Sequence, residues 1–456
     1  MIHAFMYEDL RILIDVESGA VHLVDELAYD AAIAMQEYGE EGAFRKLCEK
    51  YSQQDAMEVL SELAEIVSQG ELFHEEQPSI RVNSNGNLKA MCLNVAHDCN
   101  LRCRYCFAST GEYHLGRRAL MPFSVARKAL DFLVERSGNR KNLEVDFFGG
   151  EPLMNFEVVK QLVAYGRELE KSHDKLFHFT LTTNALGVTP EVVEFANEEL
   201  HNVVISLDGR KEVHDALRIT KAGTGSFELV LPKAKKLGLS RQRLGKEYYI
   251  RGTFTRNNLD FAKDVEYLAD QGFEQISIEP VVLPDEDSSS IREEDMPKVF
   301  AEYDKLARII YERRKDGRWL NFFHFMVDLE NGPCLAKRMT GCGAGSEYIA
   351  VTPEGDIYPC HQFVGNEAFR MGSVLSGEFD LNIQSRFSQN TIASKPECRS
   401  CWAKYFCSGG CAANAQNYNS DISKPYKPAC IMQRKRLECA IGLYIKERNI
   451  DNALTC

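Results

Sequence analysis

Between residue 89 and about residue 284, short apolar, β-branched runs alternate with stretches whose apolar residues return every three or four positions. Runs 91–96, 143–148, 177–183, 202–207, 248–255 and 275–279 predict strands. The intervening segments 122–136, 155–172, 189–197, 226–237 and 259–271 predict amphipathic helices. Strands joined through helices are parallel, and six such repeats predict an α/β fold, a partial (β/α)6 barrel over 89–285. Ahead of it, runs 10–16 and 20–24 flank Glu17-Ser18-Gly19, a hairpin signal. Three periodic segments follow, 26–38, 42–51 and 55–69, with Gly39 and Gly70 as stops. Leu72 and Phe73 predict a short strand. These make a first unit, 1–75, and the Pro/Ser/Asn/Gly-rich 76–88 reads as a linker. Downstream, 293–315 predicts a long helix within a bridging segment, 286–333. A cysteine-rich unit fills 334–456.

Composition narrows the class. At 456 residues the chain exceeds one ordinary core. Hydrophobic residues are 44% and charged residues 27%, the balance of a soluble globular protein. The formal net charge of −13 argues against a general nucleic-acid binder. Without an apolar run of about 18 residues no membrane span is expected. The first residues, Met1-Ile-His-Ala-Phe-Met-Tyr-Glu-Asp, lack a basic region followed by an apolar stretch, so no signal peptide is expected either. A cytoplasmic protein follows, in which fifteen cysteines point to metal rather than disulfides.

Three of them form the run Cys99-Asn-Leu-Arg-Cys103-Arg-Tyr-Cys106, placed after a predicted strand. A cubane 4Fe–4S cluster takes four thiolates. A loop offering three leaves one iron to bind something else, at a strand end where barrel enzymes place their chemistry. A zinc knuckle is the alternative. Phe147-Phe148-Gly149-Gly150-Glu151-Pro152 ends the second barrel strand. There two glycines let backbone approach a ligand, and Glu151 can accept from a cationic amine. Thr182-Thr183-Asn184 ends the third strand and Ser206-Leu207-Asp208-Gly209 the fourth.

The cysteine spacing, with Tyr105 before the last cysteine and Gly149-Gly150-Glu151 about forty residues on, resembles the radical S-adenosylmethionine (SAM) enzymes. The resemblance implies that Cys99, Cys103 and Cys106 hold a 4Fe–4S cluster whose open iron binds SAM, cleaved to a 5′-deoxyadenosyl radical. It further implies that Gly149, Gly150 and Glu151 bind the methionyl amine and that Arg218 meets the methionine carboxylate. Ser206, Asn184 and Asp208 would be further SAM contacts, with Tyr105 against adenine.

Cys342, then Gly355, Cys360, Cys398-x2-Cys401-x5-Cys407-x3-Cys411 and Cys430 resemble the seven-cysteine SPASM pattern. The resemblance implies two auxiliary 4Fe–4S clusters, making three clusters in all. Cys398, Cys401, Cys407 and Cys430 would enclose the outer one, and Cys342, Cys360 and Cys411 would hold the inner one. The inner cluster then has either an iron open to a substrate thiolate or Cys334 as its fourth ligand. Of the remaining cysteines, Cys48, Cys92, Cys439 and Cys456 read as buried or incidental.

The order of the first unit resembles the winged-helix-like leader-peptide recognition domain of enzymes that modify ribosomally made peptides (RiPPs), which add the peptide as a strand. Over nearly its whole length the chain resembles radical SAM/SPASM maturases that form thioethers in cysteine-rich SCIFF peptides, the sactipeptide/ranthipeptide group. That implies an oxidoreductase acting on a cysteine-rich precursor peptide and supplied by a reductant such as flavodoxin or ferredoxin. The adenosyl radical takes a hydrogen from an acceptor carbon, a cysteine sulfur joins that carbon, and an auxiliary cluster accepts the surplus electron. The alternative is an anaerobic sulfatase-maturating enzyme that makes formylglycine. Those enzymes carry Asp directly after the cysteine matching Cys360, whereas His361 stands here. A non-catalytic iron–sulfur carrier would have no use for the Gly149-Gly150-Glu151 and Ser206/Arg218 apparatus.

Overall fold

A computed structural model describes residues 1–76, 86–330 and 338–453, with side-chain surroundings to residue 448. Most of the expected linker 76–88, and Cys334 and Cys456, lie outside the described residues. The chain begins with a strand the sequence reading passed over, β1 (Ile2–Tyr7). It pairs antiparallel with β2 (Leu10–Asp15), which pairs with β3 (Val21–Val24). Leu13 packs with Ala31, Leu47, Val59 and Leu63 of the two helices that follow, α1 (Glu26–Leu47) and α2 (Gln53–Ser68). Ile12 and Ile14 join the main core on the other face. The little sheet is thus covered on both sides. Gly39, at φ +68°, breaks α1 where the sequence placed a stop. Leu72 and Phe73 form no strand, because no neighbouring edge pairs with them.

The six barrel strands are β4 (Ala90–His97), β6 (Asn142–Gly149), β7 (Leu176–Thr183), β8 (Asn202–Ser206), β9 (Glu247–Phe254) and β10 (Gln275–Pro280). They are parallel and hydrogen-bonded in that order, with a short β5 (Ala119–Leu120) antiparallel to the end of β4. Crossover helices cover the outside: α3 (Phe123–Arg136), α4 (Phe156–His173), α5 (Pro190–Glu199), α6 (Lys211–Leu217), α7 (Phe227–Arg243) and α8 (Ala262–Asp270). Period-two alternation sorts the side chains. Leu143, Val145 and Phe147 of β6, and Phe177, Phe179 and Leu181 of β7, are buried in the core beneath the helices. Glu144, Asp146, His178 and Thr180 instead line a lumen cavity of about 570 Å³. The barrel interior is therefore polar and open, unlike the packed interior of a complete eight-stranded barrel.

The barrel does not close. β10 pairs with β11 (Asn321–Phe322), and the free edge of β4 takes β12 (Tyr348–Val351) in parallel. From β12 the sheet runs on antiparallel through β13 (Asp356–Tyr358), β14 (Gly372–Ser373) and β15 (Glu378–Phe379). The expected separation of barrel and cysteine-rich unit is, at the level of hydrogen bonds, one twelve-stranded sheet. β4 lies inside it with all eight residues buried. Helix α9 (Met296–Lys315) packs against the C-terminal helix Lys427–Ala453, which also touches β1. Among the described residues no helix is long and apolar enough to cross a membrane.

Candidate functional site

The loop after β4 is tied to the barrel mouth by backbone as well as side chains. Gly150 N–H donates to Ala96 O at 2.7 Å and Glu151 N–H to Asp98 O at 2.9 Å. A Cβ on Gly149 would stand 2.3 Å from Ala96 O, and one on Gly150 2.1 Å from Asp98 O. The two glycines therefore let strand end and cysteine loop touch each other. Leu101 N–H donates to Cys99 Sγ (3.4 Å), and Thr110 N–H to Cys106 Sγ (3.3 Å). Asn184 Nδ2 reaches Cys99 Sγ at 3.6 Å and Asn100 Oδ1 at 2.7 Å, pinning the loop to the end of β7. Burial pushes the Cys99 thiol up to about 12 and Cys103 to about 11. An ionised trio there needs a positive partner.

Cys99, Cys103, Tyr105, Cys106, Gly149, Gly150, Glu151, Asn184, Ser206 and Arg218 all line one cavity of about 300 Å³. Glu151 is 1% exposed. It accepts from Thr183 Oγ1 (2.7 Å), Asn184 N (2.8 Å) and Leu153 N (3.1 Å), which leaves acceptor capacity for one further donor. Burial raises its carboxyl to about 7 against these three bonds.

Asp208 departs from its expected place. It is fully buried and is not among the lining residues. Its carboxylate accepts from Tyr105 Oη (2.8 Å), Thr253 N (3.0 Å) and Arg218 Nε (2.9 Å). The Arg218 guanidinium also lies 5.5 Å from the Tyr105 ring centroid. Asp208 thus holds Arg218 and Tyr105, and those two face the cavity. His214 supports the same turn, its Nε2 paired with Ser226 Oγ at 3.0 Å.

Other lining residues carried no local motif. Arg251, within β9, and Glu279, near the end of β10, form an ion pair of 2.7 Å on the cavity wall. Their signal was a charged residue inside each predicted strand, Arg251 in 248–255 and Glu279 at the end of 275–279. His361, Gln362 and Asn414 close the far side. These are sequence neighbours of Cys360 and Cys411, so the first loop and the C-terminal cysteines border one space. His361 lines the lumen cavity too, its ring 4.8 Å from that of Phe148 and 5.3 Å from that of Phe107. Burial lowers its pKa to about 4, so the ring is neutral.

The C-terminal cysteines fall into two groups. Burial, then each other's charge, raises Cys398 to about 11 and Cys430 to about 12, with Cys401 and Cys407 as the neighbouring thiols. Cys360, pushed to about 12 chiefly by burial, responds instead to Cys411 and Cys342. Lys395, 2% exposed, donates from Nζ to Gly409 O (2.9 Å) and faces the thiols of Cys398, Cys407, Cys411 and Cys430. A buried ammonium among thiols is stable when those thiols carry negative charge. Among the described residues no three side chains close on a single-ion site. Looser, thiolate-rich groups around a buried cation suit clusters.

Residues 93–243 match the radical SAM superfamily and residues 342–402 the SPASM iron–sulfur cluster-binding domain. A cysteine-type anaerobic sulfatase-maturating enzyme of Clostridium novyi is 25% identical over 340 residues, 71% of this chain and 87% of that protein. The radical SAM cyclopropyl synthase TigE of Paramaledivibacter caminithermalis is 22% identical over 392 residues, 83% of this chain and 78% of its own. The mycofactocin maturase MftC of Mycobacterium ulcerans is 27% identical over 329 residues, 70% and 81% of the two chains. Among solved structures, anSMEcpe with bound AdoMet superposes with TM-score 0.65 at 21% identity, covering 80% of this chain and 95% of that one. SuiB of Streptococcus suis with bound S-adenosylmethionine gives 0.53 at 19%, covering 94% and 98%. Both show the same fold. The barrel with the three-cysteine loop at its mouth, and the cysteine-rich extension of its sheet, are thus a radical SAM domain matched over 93–243 and a SPASM domain matched over 342–402.

Proposed function

We propose that the protein is a maturase of ribosomally made peptides that forms thioether links between cysteine sulfur and carbon in a cysteine-rich precursor. The observation that carries this reading is the shared cavity. Cys99, Cys103 and Cys106 line it on one side, and the neighbours of Cys360 and Cys411 line it on the other. A peptide entering it would meet radical chemistry and a second metal-binding group at once.

Cys99, Cys103 and Cys106 would hold the first 4Fe–4S cluster, which together with SAM supplies a 5′-deoxyadenosyl radical when bound. Glu151 offers its remaining acceptor to the SAM amine. Arg218, oriented by Asp208, offers its outer nitrogens to the SAM carboxylate. Ser206 and Asn184 complete the wall on which the nucleoside would lie. Cys398, Cys401, Cys407 and Cys430 would hold one auxiliary cluster, and Cys342, Cys360 and Cys411 another, for three in all. Whether Cys334 completes the second set lies outside the described residues. The unpaired edge of β3 would take the leader peptide as an added strand. A flavodoxin or ferredoxin would supply electrons, in keeping with a cytoplasmic protein. Per link, the peptide loses one hydrogen from carbon and one from sulfur.

The alternative, formylglycine formation, draws on the sulfatase-maturating relatives. Against it stands His361, neutral, where those enzymes carry a carboxylate. The test is anaerobic reconstitution with dithionite, SAM and a cysteine-rich peptide encoded nearby. Thioether formation gives a mass lower by two hydrogens per link and cysteines that resist alkylation; an aldehyde product supports the alternative. Cys99→Ala abolishes SAM cleavage. Cys342→Ala keeps uncoupled cleavage and makes no link; a linked peptide from that variant removes Cys342 from the reaction.

A further inference from the structure

The N-terminal unit is fastened to the segment that carries Cys401 and Cys407. The fastening starts in the turn between β2 and β3. Asp15, fully buried, accepts from Ser18 N (2.8 Å) and Glu17 N (3.2 Å) through Oδ1, and from His74 N (3.1 Å) through Oδ2. Gly19, at φ +77°, completes the turn. This rigid corner projects the Glu17 carboxylate away from its own sheet. Its Oε1 accepts from Lys404 Nζ at 2.5 Å and its Oε2 from Tyr405 Oη at 2.9 Å. Both charged side chains of the pair are only 4% exposed.

Lys404 and Tyr405 stand between Cys401 and Cys407. Trp402, directly after Cys401, stacks on His3 of β1 with ring centroids 3.9 Å apart and planes 4° apart. His3 in turn reaches Glu438 Oε1 on the C-terminal helix at 3.0 Å. One residue from each of two N-terminal strand regions therefore holds the same seven-residue segment, Cys401 to Cys407. A solvent-exposed ion pair would contribute little. A buried one with a second donor on the same carboxylate fixes geometry, because either partner alone would be a buried, uncompensated charge.

We propose that Glu17 is a positioning residue for the outer auxiliary cluster: from the leader-binding unit, it sets the conformation of the loop that supplies Cys401 and Cys407. The proposal rests on the cluster assignment above and adds to it that the N-terminal unit is part of the cluster's support. Any ligand that moves the β2–β3 turn then reaches the cluster through this carboxylate, and by linkage the cluster's state reaches back to that ligand.

The experiment uses full-length, anaerobically reconstituted protein. Glu17→Gln keeps the shape and removes the charge opposite Lys404. His3→Ala is a milder variant that removes the stack on Trp402 and leaves the ion pair. Cys401→Ala marks the outer cluster's contribution to iron content and to the electron paramagnetic resonance (EPR) spectrum. Glu17→Gln is expected to release one cluster's share of iron, about four atoms, to a chelator roughly tenfold faster than wild type. The EPR signal absent from Cys401→Ala is expected to change as well. Trp402 fluorescence, isolated in a Trp319→Phe background, is expected to shift in both Glu17→Gln and His3→Ala. If Cys401→Ala loses that iron and signal while Glu17→Gln releases iron and resonates like wild type, the role of Glu17 is overturned and the cluster assignment stands. If Cys401→Ala itself keeps full iron and spectrum, the cluster assignment falls and takes this proposal with it.

Discussion

At the scale of single residues, the site separates groups that face a ligand from groups that hold them. Cys99, Cys103, Cys106 and Glu151 were legible because spacing and neighbours within a few positions carry the signal. The place of Asp208 behind the cavity wall was not legible, because its partner Tyr105 lies 103 positions away. Asp208→Ala leaves the Arg218 guanidinium and the Tyr105 hydroxyl without their acceptor inside the protein. A loss of about 3–5 kcal/mol is expected, measured by thermal unfolding, together with loss of SAM binding by calorimetry. Unchanged SAM affinity in a folded Asp208→Ala protein removes the orienting role. His214 gives a pH prediction. Burial lowers its pKa to about 4, against about 6.5 in an unfolded chain. Below about pH 6.5 the unfolded chain takes up a proton that the folded one refuses. The stability it contributes is complete above that pH and falls by about 1.4 kcal/mol per unit toward pH 4. His214→Gln is expected to lose about 2 kcal/mol less than wild type between pH 6.5 and 5; equal losses in denaturant titrations refute this.

At the scale of elements, the six barrel strands and their helices were readable because alternation and helical period change cleanly between them. β1 was missed, its six residues having been read only for a targeting signal. β12 was missed for a different reason. Four residues of strand character mean little until a partner is known, and the partner, β4, lies some 250 positions upstream. The glycines ending β6 were read for a ligand, whereas their first constraint is the neighbouring loop. Gly150→Ala tests that directly. The new Cβ would meet the Asp98 carbonyl and, at 2.9 Å, the Gly111 Cα, both backbone and unable to give way. The cysteine loop must then shift. The iron proposed for Cys99, Cys103 and Cys106 is expected to fall severalfold while that proposed for the C-terminal sets remains. Full iron at the first site would show that the loop can accommodate a methyl group.

At the scale of the whole molecule, the barrel and the cysteine-rich unit line two cavities together, and the N-terminal sheet packs against the main core and the C-terminal helix. The fold class was legible, and the matches in sequence and structure agree with it. The manner of joining was not legible, since it depends on contacts between distant segments: Glu17 with Lys404, Tyr7 against Gly442, β4 with β12. Because β4 is hydrogen-bonded on both sides, the barrel and the cysteine-rich unit cannot be parted without tearing a sheet. A protein ended at residue 330 would leave one flank of a fully buried, mostly apolar, eight-residue inner strand without its neighbour. Such bare flanks recruit other chains. The shortened protein is expected to sediment as multimers, and a well-behaved monomer would show that the barrel is self-sufficient. Evolutionary loss of the cysteine-rich unit would thus demand a substitute strand to seal the seam.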